Sequence, residues 1–242
     1  MSLACPSLIA TLSTDLCRAV QNYCERASAA FDAEPVNAVT NAAFLIAAWA
    51  AWRLQSRHRD AGDAGLIRAM ALCAAIVGLG SFLFHTVATR WAEWGDVLPI
   101  LVFMLLFLWA ALTCFFGWPV RAKLAALSLF FALTFTLEAV VPGAFLHGGA
   151  LYAPALLTLI VIAAALSQRR PAAGRAAFAA TGVFLLSLTA RTLDAPICPA
   201  FPLGTHFLWH IFNAVLLYLL IRLVVLYGSP GMAIPTSNWT RR

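Results

Sequence analysis

The chain has 242 residues, 62% of them hydrophobic and only 11% charged, with a mean hydropathy of +0.86. That composition excludes an ordinary soluble domain. The formal net charge of +6 is distributed through turns between apolar runs, so it is a topology signal and not a nucleic-acid footprint.

A bilayer has a hydrocarbon core about 30 Å thick, so an apolar run of about 20 residues reads as a membrane helix. Seven such runs occur, at 38–54, 66–88, 96–117, 122–141, 149–167, 175–190 and 204–227. Their short connections predict an all-α membrane protein, a bundle of seven transmembrane helices. The chain then divides into an outer N-terminal segment (1–37), a transmembrane domain (38–227) and a tail (228–242). With the N-terminus outside, twelve of the sixteen Lys and Arg residues fall on the inner side. The positive-inside rule therefore predicts N-terminus out and C-terminus cytoplasmic.

The N-terminal segment gathers Asp15, Asn22, Glu25, Asp32 and Glu34 ahead of the first helix. Acids this close can hold a hard cation through oxygen ligands, or they can be a solvated lead-in. Asn37, Thr40 and Asn41 then start the first helix, where they cap it or face other helices. The second helix ends outside with Ser81 and His85, four residues apart and so on one face. An outer turn with Arg90, Trp91, Glu93 and Trp94 follows, and Asp96 opens the third helix, where a cap is the simple role. The sixth helix ends in Arg191 and Asp194, three apart, a spacing that allows an ion pair at the outer rim. Cys24 and Cys198 share the outer side, where a disulfide is geometrically open, while Cys73 and Cys114 sit in membrane segments as packing residues. The last helix begins His206-Phe-Leu-Trp-His210, two imidazoles one turn apart at the mouth of an apolar span.

Buried imidazoles in a membrane helix are costly unless something uses them. Odd-numbered helices start outside and even-numbered ones end there, so Ser81, His85, Asp96, His206 and His210 all fall in one layer near the outer face. Three histidines with a carboxylate and a hydroxyl in one layer resemble a catalytic zinc site with an open position for water. In that site His85, His206 and His210 hold the metal and Asp96 orients or deprotonates water. Ser81 supports a neighbouring group or a developing oxyanion.

These pieces, with Tyr23-Cys24-Glu25-Arg26, Glu34-Pro35-Val36-Asn37 and Arg191-Thr-Leu-Asp194, occur in an order that resembles the alkaline ceramidase family. That family belongs to a wider group of seven-helix zinc-dependent membrane hydrolases that includes the adiponectin and progestin receptors. The resemblance runs from about residue 22 to 222, and the abundance of Ala and Arg suggests a bacterial member with its site towards the periplasm. It implies zinc on His85, His206 and His210, with Asp96 activating water and Ser81 in support. It further implies calcium beside the first helix, with Glu25, Glu34 and Asn22 as candidate ligands, although Ala27 stands where a side-chain amide would contribute. A disulfide between Cys24 and Cys198 is implied as well.

The function these readings predict is hydrolysis of a ceramide-like N-acyl lipid to a fatty acid and a sphingoid base. A hydrolase of another N-acyl or ester lipid fits the same zinc site. A receptor of the progestin and adiponectin type fits less well, because those proteins carry the N-terminus inside. A transporter or scramblase has no need of the histidine trio. A retinal-binding pump is excluded, because Lys123 is the only lysine and lies at an inner turn.

Overall fold

The computed structural model describes residues 5–59, 63–142 and 145–228. Most of the tail, from 229 onward and including Arg241 and Arg242, lies outside the described residues. Within them the regular elements are helices: α1 (Ser7–Leu12), α2 (Pro35–Thr40), α3 (Ala42–Arg57), α4 (Ala64–Val87), α5 (Arg90–Cys114), α6 (Val120–Val140), α7 (Ala153–Arg169), α8 (Pro171–Ile197) and α9 (His206–Tyr227). Six are long and apolar enough to cross a membrane: α4, α5, α6, α8, α9 and the stretch Gly149–Arg169 that contains α7. The chain is a multi-pass integral membrane protein.

The first expected span, 38–54, is not among these six. It is divided at Asn41 into the six-residue α2 and the sixteen-residue α3. The side chains give the reason. Thr40 Oγ1 donates back to the carbonyls of Val36 and Asn37, and Asn41 Nδ2 donates to that of Asn37. Such local bonds compete with the backbone ladder of a helix.

Two other boundaries differ from the sequence reading. α5 starts at Arg90, so the expected outer turn is its first turn, and Asp96 lies well inside the helix instead of capping it. An Arg90–Glu93 ion pair at 2.8 Å braces that turn. The preceding backbone is strapped to the N-terminal segment by Val20 N–H on Ala88 O and Arg90 N–H on Arg18 O. α8 runs on to Ile197 and so carries Arg191 and Asp194 on helical backbone.

α9 is the central element. It packs along α3 and α8 and also meets α2, α4 and α5. Its buried positions run its full length, from His206 and His210 through Asn213, Leu217 and Ile221 to Val225. α4 lies between α3 and α5, and α7 lies against α8. α6 is at the edge and buries only Lys123, Phe130 and Thr134. Exposed large apolar side chains such as Trp49, Leu79, Val102, Leu129 and Leu186 sit on several helices. On a membrane protein such a surface faces lipid.

Candidate metal centre

The polar layer expected from topology assembles where α4 ends and α5 and α9 begin. His85, His206 and His210 are all buried, and one ring nitrogen from each lies within 4.8 Å of the others. Their ring centroids are 4.7 to 5.2 Å apart. Repeating His206 and His210 at one helical turn puts two of the rings on one face of α9, and the last turn of α4 supplies the third.

Each of two imidazoles is held by its rear nitrogen. His85 Nδ1 donates to Glu34 Oε2 at 2.6 Å, because an ionised carboxylate can only accept. His210 Nδ1 donates to Thr40 Oγ1 at 3.0 Å, the hydroxyl having given its own proton to a carbonyl of α2. Both contacts leave Nε2 as the lone-pair atom facing the cluster, which is how carboxylate and hydroxyl partners orient metal-ligating histidines. Glu34 is buried, which by itself would raise its pKa. Its hydrogen bonds to His85, Arg26 and Asn37 outweigh that and hold the carboxyl below the usual range.

Nine buried side-chain polar atoms have no hydrogen-bond partner among the described residues, and four of them belong to this cluster. They are His85 Nε2, His206 Nδ1, His210 Nε2 and Asp96 Oδ1. Unsatisfied polar atoms are costly when buried, so their convergence is a fit for a cation held by three nitrogens. The donor set itself suits a borderline metal such as zinc.

Asp96 reaches the cluster because α4 and α5 touch backbone to backbone. A Cβ on Gly80 would lie 2.1 Å from Gly95 O, so only glycine permits this approach. The next residue, Ser81, then hydrogen-bonds the Asp96 carboxylate. Sequence reading had Asp96 as a cap or a site residue; it lies inside α5 and does not cap it.

α9 is set in register by a residue whose role the sequence did not reveal. Asp194 Oδ1 accepts from the amides of Thr205 and His206, and Oδ2 accepts from the amide of Cys24. Gly204, at φ +68°, makes the turn that allows this. A Cβ there would lie 2.1 Å from Asp194 Oδ1. A disulfide joins Cys24 to Cys198 beside this point, and a second one, not expected from the sequence, joins Cys5 to Cys17. The expected Arg191–Asp194 ion pair does not form. Asp194 is committed to backbone amides, and Arg191 turns to Tyr23, donating to its hydroxyl at 3.1 Å. Tyr23 stacks on His206 with centroids 3.6 Å apart, and burial pushes its phenol up despite the pull of Arg191. The guanidinium also lies 5.2 Å from the Trp209 ring and 5.7 Å from Tyr152. Thr40, Asp194, Tyr23 and Arg191 were thus undervalued as support for the cluster. Tyr23, Arg191 and Asp194 stood in the motifs that carry the family resemblance, but no role followed from that, and Thr40 was marked only by polarity at the start of an apolar span.

The candidate calcium ligands are each bonded to other groups among the described residues. Exposed Asn22 donates to Glu93, and the Glu25 oxygens accept the amides of Val36 and Asn37 at the start of α2. Glu34 faces Arg26 and His85. These residues do not fit a calcium cage, which takes six to eight oxygens around one point.

Beside the histidines opens an apolar cavity, lined among others by Phe44, Val77, Phe103, Tyr152, Trp209 and Asn213. Phe44 lies 6.5 Å from the His210 ring, and Trp209 precedes His210 in the chain, so the cavity adjoins the cluster.

Together these features define a multi-pass helical membrane protein with a buried three-histidine cluster able to hold a metal, next to an apolar cavity. The chain belongs to the ceramidase family, whose model matches residues 17–230. That membership supports ceramide hydrolysis, cleavage of an amide bond, in general terms, and with it a lipid substrate. No curated protein matches the chain.

Proposed function

We propose that the protein is a zinc-dependent intramembrane amidase that cleaves ceramide-like N-acyl lipids into a fatty acid and a sphingoid base. The observation that carries this reading is the convergence of three unpartnered histidine nitrogens and one unpartnered carboxylate oxygen beside an apolar cavity. Zinc on His85, His206 and His210 would supply Lewis acidity for the amide carbonyl and a lowered pKa for water. Asp96 Oδ1, free of other partners, takes the proton as the water oxygen bonds to the carbonyl carbon. It returns that proton to the departing amine when the C–N bond breaks. Ser81 hydrogen-bonds Asp96, so we assign it the positioning of that carboxylate over the oxyanion-facing alternative. Glu34 and Thr40 hold two imidazoles in the required tautomer. The cavity takes the acyl chain, and the apolar lining keeps bulk water from it.

The same reading has seven crossings, with α2 and α3 together forming the first, the N-terminus outside and the C-terminus cytoplasmic. The distribution of Lys and Arg supports it, twelve of sixteen falling on the inner side. In a bacterial inner membrane the centre then lies towards the periplasm, where the two disulfides are stable.

The test is the metal content of the detergent-purified protein beside His206→Ala/His210→Ala. We expect one zinc per wild-type chain, lost in the double variant together with fatty-acid release from ceramide. A wild type that holds no zinc after reconstitution with excess metal would sink the mechanism.

A further inference from the structure

The calcium site implied by family resemblance draws on Glu25 and Glu34, and Arg26 lies between them in the chain. Arg26 is buried, with only 7% of its surface exposed. Its guanidinium meets four oxygens from three parts of the chain. Nε donates to Glu34 Oε1, Nη1 to the carbonyls of Ser28 at 3.1 Å and Ala30 at 3.3 Å, and Nη2 to that of His85 at 2.8 Å. A carboxylate and three carbonyls around one positive centre is the ligand chemistry of a hard cation. Here every one of those oxygens faces an N–H donor.

We infer that Arg26 is a built-in cation that takes the place of calcium at the entry to α2, so that the metal centre is held in register without calcium. Three further observations agree. Glu25 spends both oxygens on the amides of Val36 and Asn37, Asn22 is exposed and turned to Glu93, and Ala27 has no side-chain ligand to offer. A divalent ion beside the buried guanidinium would add like charge next to it and compete with it for Glu34. Arginine suits the role because its planar fork bonds several oxygens at once and stays charged when buried.

The consequence reaches the histidines. Glu34 bonds Arg26 through one oxygen and the His85 ring through the other, while Arg26 also bonds the His85 carbonyl. His85 is thereby held at ring and backbone by one ion pair. Arg26 is a positioning residue, acting through Glu34 and His85.

The test uses the full-length protein in detergent and involves no lipid. Equilibrium binding of radioactive calcium to the wild type is expected to give none bound, and the thermal midpoint is expected to be equal in calcium-depleted buffer and in added calcium chloride. Arg26→Ala should lower that midpoint and weaken zinc affinity by about 10- to 100-fold, the usual loss when support behind a metal ligand is removed. Arg26→Lys restores the charge without the fork and should recover part of that loss. One calcium per wild-type chain, or a midpoint that rises with calcium, overturns the inference, and so does an alanine variant with wild-type zinc affinity. If Arg26→Ala does not fold, the calcium measurements on the wild type still decide, with the zinc affinity of Arg26→Lys, where a value equal to wild type overturns the role of the fork. Failure of the hydrolase reading looks different: the wild type holds no zinc, or holds it and cleaves no amide, and in either case the calcium measurements still decide on Arg26.

Discussion

The histidine-bearing ends of α4, α5 and α9, outer in the proposed topology, and their opposite halves are made from similar apolar helices, yet they are held together in different ways. At the outer end the contacts are specific and polar: Glu34 with His85, Thr40 with His210, Asp194 with the amides of α9, and Arg26 with four oxygens. In the opposite half the contacts are mainly packing, around residues such as Ile67, Met70 and Ile221, with polar contacts only near the helix ends, where Lys123 donates to Thr113 and Arg170 to the Tyr227 carbonyl. Inside a membrane apolar packing tolerates adjustment, because the lipid is as apolar as the side chains. A polar network has no such latitude, since each unmatched group leaves an unsatisfied atom in a low-dielectric interior. The difference teaches where to look for chemistry: in unmatched atoms that converge, as one nitrogen from each of three histidines does here.

Substitutions in the two regions should therefore differ in kind. The largest effect is expected for Asp96→Asn, which keeps the shape of the outer network and removes its proton acceptor. Zinc content should hold while turnover of ceramide falls by about 10²- to 10⁴-fold. Retained turnover would mean that Asp96 belongs to the matched part of the network. Gly80→Ala comes next. Its Cβ would meet Gly95 O at 2.1 Å, so α4 and α5 have to separate. Overpacking of this sort costs about 1 to 3 kcal/mol, to be read from thermal unfolding in detergent. Activity should fall as well, because Ser81 and Asp96 part company. The smallest effect is expected for Leu129→Ala on the exposed face of edge helix α6, where the side chain is 60% exposed. A change within about 0.5 kcal/mol and unaltered turnover would sharpen the contrast. A large loss there would break it.

Much of the molecule was legible before its fold was known. Helix content followed from run length and hydropathy, since a backbone in lipid has to satisfy its own hydrogen bonds. The convergence of His85, His206, His210, Ser81 and Asp96 followed from alternation, because consecutive spans reverse direction and fix which ends share a depth. The break at Asn41 was not legible. It depends on Thr40 and Asn41 bonding backward, where their composition alone allowed a cap or an interhelical contact equally well. The continuation of α5 and α8 past their apolar runs was hidden for a related reason, since Arg90, Glu93 and Asp194 look like loop residues until their partners are known.

The sequence by itself determined that this is a helical membrane protein and which polar residues lie near one face, because hydrophobicity and chain direction are local and additive. Only the tertiary structure decided what each polar residue does there. Glu34 could have gone to a metal or an arginine, and Asp194 to Arg191 or to the start of α9. Such choices depend on which donors arrive within about 3 Å, and that distance is set by the packing of segments far apart in the chain.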